Sequence, residues 1–254
     1  MIYFIGAGPG DKDLITLKGQ KLLTRADSII YAGSLINHEL LEYAKSGCDL
    51  HDSAKMTLEE VIEIMQQNEK RNLMTARLHT GDPSIYGAIK EQIDKLEQNG
   101  IPYEIIPGVS SFAGAAAALG KEYTLPGVSQ TVILTRMEGR TPVPEKERIT
   151  KLAGIQASMA IFLSGAMLKS LSEELIEGGY PRDTPAAIVY KATWPDEKII
   201  KTTIESLPDA GEKANISKTA LILVGNFLDS EYDRSQLYNP EFTHGYRIRK
   251  HKNE

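Results

Sequence analysis

Three glycine-bearing segments contain the residues of this chain that are best suited to bind a ligand. We call them glycine loops 1, 2 and 3; they are Gly6-Ala7-Gly8-Pro9-Gly10-Asp11, Thr80-Gly81-Asp82-Pro83 and Pro107-Gly108-Val109-Ser110-Ser111. Glycine has no Cβ, so a ligand can approach the backbone of such a segment closely. Loop 1 is not a dinucleotide fingerprint, because Gly-x-Gly-x-x-Gly requires a third glycine where Asp11 stands. A turn that only joins a strand to a helix is the alternative.

Acidic residues at these loops indicate the charge of the expected ligand. Asp11 and Asp13 place negative charge at the start of a helix, where a pyrophosphate would otherwise bind. Such carboxylates suit the helix dipole and repel phosphate, so loop 1 favours a neutral or cationic ligand. Asp82 is suited to accept hydrogen bonds from an ammonium or ribose group, or else to cap the helix that follows it. Ser110-Ser111 has the same two interpretations.

The motifs that the sequence lacks exclude several types of reaction. There is no Gly-x-Ser-x-Gly elbow, and Gly120-Lys121 lacks the first glycine and the Ser or Thr of a phosphate loop. The five histidines show no metal-site spacing, and Cys48 is the single cysteine. Methyl transfer from S-adenosyl-L-methionine fits these constraints, since the sulfonium carbon is already electrophilic and the protein mainly aligns the attack.

Two arginines indicate an anionic substrate. Arg136 and Arg140 lie in a segment rich in glycine and proline, and guanidinium groups pair with carboxylates through two hydrogen bonds. Arg77, near the end of a predicted strand, would add to a basic rim over the same crevice. A solvated loop is the alternative for the segment that contains Arg136 and Arg140.

The hydrophobic pattern predicts an α/β protein whose elements bring these loops together. Each glycine loop follows an apolar run typical of a buried strand and precedes a helical pattern, which predicts a parallel sheet with the loops at one edge. The second half has strands separated by fewer helices, with a hairpin around Trp194–Glu197, which predicts a mixed sheet. We place the domain boundary near residue 125, giving domains 1–125 and 126–254. The predicted strands of the second half are Thr131–Thr135, Ala157–Leu163, Ala186–Ala192, Lys198–Ile204 and Ala220–Val224.

Composition restricts the cellular setting. The formal net charge of −5 argues against sequence-independent nucleic-acid binding. One cysteine allows no internal disulfide, which suits a reducing cytoplasm, and no apolar run is long enough to predict a membrane span. The tail Arg247–Lys252 is basic and is expected to be solvated, with an arm for a dimer or ligand as the alternative.

From Ile2 to Leu228 the chain resembles the tetrapyrrole methyltransferases of cobalamin biosynthesis. Loops 1, 2 and 3 carry the likeness to the superfamily, while two further segments are closer to the branch that methylates C-11 of precorrin-4. The segments that carry the resemblance are Gly6–Asp11, Tyr31–Ile36, Gly81–Gly87, Pro107–Ser111, Arg136–Glu145 and Ala192–Glu197.

The resemblance implies two α/β domains, a homodimer, and S-adenosyl-L-methionine folded into a cleft between the domains, with no bound metal. Acetate and propionate groups of the tetrapyrrole would engage Arg77, Arg136 and Arg140. No general base can be transferred, because Ala32 stands where related uroporphyrinogen methyltransferases have an acidic residue. The match at Ser164 is weaker, since relatives often have methionine there. The implied contacts to the methyl donor are Pro9, Thr80, Gly81, Asp82, Ile85, Ser110, Ser111, Ser164 and Ala192.

The resulting prediction is an enzyme in which a nucleophilic ring carbon attacks the methyl group while the protein supplies position and electrostatics. The sequence leaves open whether the substrate contains cobalt. One alternative shares the fold and methylates ribosomal RNA ribose or a modified histidine of an elongation factor. The other is a non-catalytic α/β module that binds a nucleotide or effector.

Overall fold

The computed structural model describes residues 1–248. The described residues divide into two compact units, the first formed by Met1–Ala118 and Tyr190–Lys198, the second by Leu119–Val189 and residues 199–248. The boundary near residue 125 stays a prediction. Residues 249–252 of the basic tail lie outside the described part of the chain.

The first unit contains a five-stranded sheet in which the paired strands run parallel. Its strands are β1 (Ile2–Gly6), β2 (Ser28–Tyr31), β3 (Asp49–Asp52), β4 (Thr75–His79) and β5 (Tyr103–Ile106), in the order β3-β2-β4-β1-β5. The prediction of a parallel sheet is therefore confirmed. Strand β3 was not predicted, because its Asp-Leu-His-Asp sequence is polar and lies at the sheet edge.

Four α-helices flank this sheet: α1 (Leu17–Leu23), α2 (Leu58–Lys70), α3 (Lys90–Gln98) and α4 (Ser111–Leu119). Thr57 and Glu60 have the spacing that predicts a capping box, and this box is present at the start of α2. The sequence pattern predicts a helix from Ser84 to Gln98, and this start is wrong, since α3 begins only at Lys90.

The left-handed backbone of two residues before Lys90 explains why α3 starts later than predicted. Tyr86 and Ala88 have φ values of 54° and 49°, which an α-helix does not accept.

The two faces of the first sheet bury separate hydrophobic clusters, because successive residues of a strand point to opposite sides. On one side Ile5 packs with Leu23 and Leu78. On the other, Phe4 packs with Met65 and Leu96. The sheet is thus covered on both faces, as expected of a parallel sheet, and its strand ends are the edges at which polar loops can gather.

The second unit contains a mixed sheet, as predicted. Its strands are β6 (Val132–Arg136), β7 (Ser158–Phe162), β8 (Pro185–Tyr190), β9 (Lys198–Thr203) and β10 (Ala220–Val224), in the order β6-β7-β10-β8-β9. Strands β6 and β7 are parallel, whereas β7 and β10 are antiparallel. Strands β8 and β9 are neighbours, so the residues between them form the turn that the predicted hairpin requires. The helices of this unit are α5 (Ile149–Leu152), α6 (Leu168–Glu177) and α7 (Leu207–Lys213).

Candidate functional site

Glycine loops 1 and 2 are paired directly beyond the ends of β1 and β4. Gly8 and Gly81 form an antiparallel bridge, in which the Gly81 amide donates to the Gly8 carbonyl at 2.9 Å and the Gly8 amide donates to the Gly81 carbonyl at 3.2 Å. The Ala7 amide also donates to the His79 carbonyl at 2.7 Å. The two loops therefore continue the contact between their strands and form one backbone surface.

Loop 3 packs against the other two so closely that only glycine fits. A Cβ added to Gly108 would lie 2.2 Å from the Gly81 carbonyl oxygen and 2.7 Å from the Gly6 Cα. A Cβ added to Gly6 would lie 2.5 Å from the Gly108 Cα. Gly81 has a φ of 60°, which favours glycine. Part of the glycine pattern thus serves packing between the loops themselves.

The Asp82 carboxylate ties loop 2 to loop 3. Its Oδ2 accepts from the Gly108 amide at 2.8 Å, and its Oδ1 accepts from the amide of Ser84 at 2.8 Å and from the Ser84 hydroxyl. Burial by itself would raise the pKa of Asp82, but these hydrogen bonds outweigh it and the pKa is lowered. A carboxylate has about four lone-pair sites, so roughly one remains for a ligand.

All predicted contacts to the methyl donor except Ser164 lie in the first unit, on or next to the glycine loops. Thr80 precedes Gly81 and is exposed. Ile85 follows Asp82, whose carbonyl accepts from the Ile85 amide at 3.1 Å. A Cβ added to Gly81 would lie 3.6 Å from the Ser110 Cα and 3.7 Å from the Ser111 nitrogen, so loop 2 also contacts the start of α4.

Ala192 lies in the turn between β8 and β9, which groups with the first unit. The neighbouring Trp194 indole donates to the Pro9 carbonyl at 2.9 Å, and the Asp11 amide donates to the Thr193 hydroxyl at 3.0 Å. These contacts bring Ala192 and Pro9, far apart in sequence, to the same site. Sequence reasoning did not assign Trp194 or Thr193 a role; the available signal was the only tryptophan of the chain placed in a predicted turn.

Arg77 is buried inside the first unit and does not lie on the predicted basic rim. The residue is 8% exposed, and its guanidinium donates to the Gln92 side chain at 3.2 Å, the Ser53 hydroxyl at 3.0 Å and the Ile30 carbonyl at 3.3 Å. Burial lowers the pKa of Arg77 to about 10. The prediction of a substrate contact from Arg77 is corrected, because strand alternation turns its side chain to the face covered by α2 and α3.

His79 is a buried residue of the same strand that sequence reasoning missed. Its imidazole is 5% exposed, lies 5.9 Å from the Phe4 ring between centroids, and has no hydrogen-bond partner for Nε2. Burial, together with the charge of Arg77, lowers its pKa to about 3. The imidazole is therefore neutral at physiological pH.

Arg136 and Arg140 lie in the second unit and differ in availability. The Arg136 guanidinium donates to the backbone carbonyls of Met137, Thr141 and Pro142 at 3.1, 3.2 and 2.8 Å, so it holds its own loop in shape. Arg140, at the tip of that loop, is exposed. Of the two, Arg140 is therefore the better placed to meet an anionic group from solvent.

Ser164 is fully buried at the end of β7. Its hydroxyl donates to the Phe162 carbonyl at 2.7 Å and accepts from the Met137 amide at 3.1 Å. The hydroxyl thus stabilises the second unit, and a contact between Ser164 and the methyl donor stays a prediction.

The second unit also has a cavity of about 840 Å³ that no sequence pattern indicated. Its lining includes Lys121, Arg234, Tyr232 and Tyr238, and no residue of the glycine loops. Among residues 1–248 there is no cluster of three His, Cys, Asp or Glu side chains able to hold a metal ion, and no helix there is long and apolar enough to cross a membrane.

Two α/β units, with glycine loops at the strand ends of a parallel sheet, are the arrangement that the resemblance to the tetrapyrrole methylases implies. The model of the tetrapyrrole (corrin/porphyrin) methylases matches residues 1–208, and the chain belongs to that family. The resemblance read from the motifs is thereby confirmed, together with the predicted fold class and the predicted class of enzyme.

Named relatives match almost the whole chain. A cobalt-precorrin-4 C(11)-methyltransferase of Methanocaldococcus jannaschii is 54% identical, covering 97% of this chain and 95% of that protein. A precorrin-4 C(11)-methyltransferase of Pseudomonas aeruginosa is 47% identical, with 97% and 98% covered. A crystal structure of a cobalt precorrin-4 methyltransferase, a cobalamin biosynthetic enzyme, has a TM-score of 0.88 at 50% identity, covering 90% of this chain and 96% of that one.

Proposed function

We propose that this chain transfers a methyl group from S-adenosyl-L-methionine to C-11 of precorrin-4 or its cobalt-containing form, as a step of cobalamin biosynthesis. The observation that carries this proposal is that relatives named for that reaction are 54% and 47% identical to this chain over nearly its full length. The glycine loops support it independently, because their backbone surface and acidic residues suit a cationic donor better than a phosphate.

The residues of the first unit fit such a donor. Gly6 and Gly108 let the three loops pack together at the strand ends, and Asp82 retains one accepting position for an ammonium or ribose hydroxyl. The bound donor supplies an electrophilic methyl carbon. The task of the chain is then to hold the donor and the ring carbon in line and to exclude water.

Arg140 is the residue of the second unit that we propose as a contact to the substrate carboxylates. It is exposed at a loop tip, and a guanidinium can bind a carboxylate through two parallel hydrogen bonds. Arg136 supports this role indirectly, because its three hydrogen bonds to backbone carbonyls hold the loop that presents Arg140.

We also propose that the chain acts as a homodimer and without nucleic acid. The formal net charge of −5 disfavours a phosphate backbone as partner. Tyr232 and Tyr238 of the second unit are 64% and 68% exposed, and aromatic side chains of this kind are enriched at protein interfaces. Light scattering after gel filtration measures the mass in solution, and a monomer at micromolar concentration would contradict the dimer.

One assay tests the reaction and separates the alternatives. The purified chain is incubated with S-adenosyl-L-methionine and either cobalt-charged or cobalt-free precorrin-4, and mass spectrometry measures the addition of one methyl group. Methylation of one form at a higher kcat/KM identifies the preferred substrate. Binding of the donor without methylation of either form would favour a same-fold enzyme that acts on RNA or protein. Failure to bind the donor would favour a non-catalytic module.

A further inference from the structure

Trp194 holds glycine loop 1 through both a hydrogen bond and close packing. Its indole N–H donates to the Pro9 carbonyl at 2.9 Å. The ring also covers Gly10 so closely that an added Cβ would lie 2.1 Å from Trp194 Cδ1. One residue further along the loop, the Asp11 amide donates to Thr193 at 3.0 Å. Three successive residues of loop 1 are therefore fixed by two successive residues of the turn.

The turn that presents Trp194 is itself constrained around Ala192. Lys191 and Thr193, on either side of Ala192, have φ values of 47° and 68°, a left-handed conformation that is unfavourable for residues with a Cβ. Two acidic side chains support it: Asp196 accepts from the Lys191 ammonium at 2.6 Å and Glu197 accepts from the Thr193 amide at 2.6 Å. Strained backbone of this kind persists where surrounding contacts over-determine it, and it is common at ligand sites.

We propose that Trp194 is a positioning residue for the methyl donor. By fixing Pro9 and Gly10 against the turn that contains Ala192, it orders both segments before the donor arrives. A site that is ordered in advance loses less conformational freedom on binding and therefore binds more tightly. The inference rests on the proposed function, because it assumes that the glycine loops receive the donor.

The first test compares donor affinity in variants that remove a single hydrogen bond. Trp194→Phe keeps an aromatic ring but loses the N–H, and Thr193→Val keeps the shape but loses the acceptor. Isothermal calorimetry with S-adenosylhomocysteine is expected to give an affinity about 5- to 20-fold weaker for each variant. An affinity within twofold of the wild type for both variants would overturn the inference.

Tyr180→Phe is the matched control. It also removes a hydrogen bond from a buried aromatic side chain to a backbone carbonyl, that of Ala157, but in the second unit. We expect it to lower the thermal midpoint without changing donor affinity. If Tyr180→Phe lowered the affinity for the donor as much as Trp194→Phe does, the effect of Trp194 would be general destabilisation and the inference would be wrong.

A double-mutant cycle tests whether Trp194 acts through Gly10. Gly10 does not have a positive φ, so the cost of Gly10→Ala is steric and arises from the indole. We expect Gly10→Ala to weaken donor binding about tenfold in the wild type but less than twofold in Trp194→Ala, where the added methyl has room. Independent, multiplicative effects of the two substitutions would overturn the inference.

The only tryptophan of the sequence provides a label-free readout for the same site. Because its indole contacts loop 1, titration with S-adenosylhomocysteine is expected to change its emission with the dissociation constant found by calorimetry. Calorimetric binding without any change in emission would count against Trp194 as a positioning residue. If the wild type failed to bind at all, the proposed function itself would fall, an outcome distinct from normal binding by the variants.

Discussion

Replacement of Asp82 by alanine removes the carboxylate that links glycine loops 2 and 3, and we expect the free energy of unfolding to fall by about 2–3 kcal/mol. The half-buried Gly108 amide loses its acceptor at 2.8 Å, and an unsatisfied donor there costs about 1–3 kcal/mol. The hydrogen bonds from Ser84 contribute less, about 0.5–1 kcal/mol, because Ser84 is exposed and water can replace the carboxylate.

The stability that the Asp82 carboxylate contributes should decrease at low pH. The pKa of Asp82 is lower in the folded protein than its ordinary value of about 3.9. The carboxylate therefore contributes its full stability above that value and loses it as the pH falls through the lowered folded pKa. Asp82→Asn, which does not titrate, is the appropriate comparison: its deficit against the wild type should be constant from pH 7 to pH 5 and should narrow below about pH 3.9.

Urea unfolding at several pH values measures this effect, and calorimetry with S-adenosylhomocysteine measures donor affinity in the same variants. We expect Asp82→Ala to bind the donor more weakly, because loops 2 and 3 are no longer joined. Asp94→Ala is the control, since the Asp94 side chain pairs with Lys90 at the surface and should change stability by less than about 0.5 kcal/mol. Wild-type stability of Asp82→Ala, or a deficit that stays the same below pH 3.9, would refute the assigned role.

Three further predictions follow from the geometry of the two units. Gly108→Ala places a Cβ 2.2 Å from the Gly81 carbonyl oxygen and should lower the free energy of unfolding in urea by about 3 kcal/mol. The control Gly245→Ala, whose added Cβ has nothing within 4 Å, should leave stability nearly unchanged, and equal effects of the two substitutions would contradict the packing argument. Burial and a neighbouring guanidinium lower the pKa of His79 to about 3, so the wild type should lose stability as the pH falls from about 6.5 towards 3. His79→Gln should lack this pH dependence. An imidazole NMR signal of His79 that titrates near pH 6.5 would refute the prediction. Arg140→Ala should raise the KM for the tetrapyrrole about tenfold with unchanged donor affinity, and unchanged kinetics would make its loop a solvated one.

Much of the architecture could be predicted from the sequence because the buried strands are strongly apolar. Strand β1 is apolar, almost fully buried, and ends at a glycine. Strand β4 is fully buried although it contains Arg77 and His79. Strand β3 carried no such signal, because it is a polar edge strand that depends on pairing with β2. The helix start at Lys90 was also not predictable, since Tyr86 and Ala88, which are left-handed in the structure, are residue types that a helix normally accepts.

The candidate site was predictable in its loops but not in its side-chain roles. The order of strands, loops and helices predicted that the three glycine loops lie at one edge of the sheet, and in the structure they contact one another. The prediction for Arg77 was wrong because residue type alone does not show on which face of a strand a side chain lies. Trp194 was missed because its partner, Pro9, is 185 residues away, and long-range contacts leave no local pattern.

The acidic residues of loop 1 require a more careful argument than their charge alone suggests. Asp11 accepts from the amide of Asp13 at 2.9 Å, so its carboxylate caps a short 3₁₀ turn whatever ligand binds. The loop carbonyls are also engaged: those of Pro9 and Gly10 accept from Trp194 and Asn37 at 2.9 and 3.0 Å. Loop 1 therefore opposes a phosphate by charge, but it offers few free backbone carbonyls to a cation. If the proposed function is right, we expect specific recognition of the methyl donor to come mainly from the other loops, with the remaining accepting position of the Asp82 carboxylate as its principal polar contact.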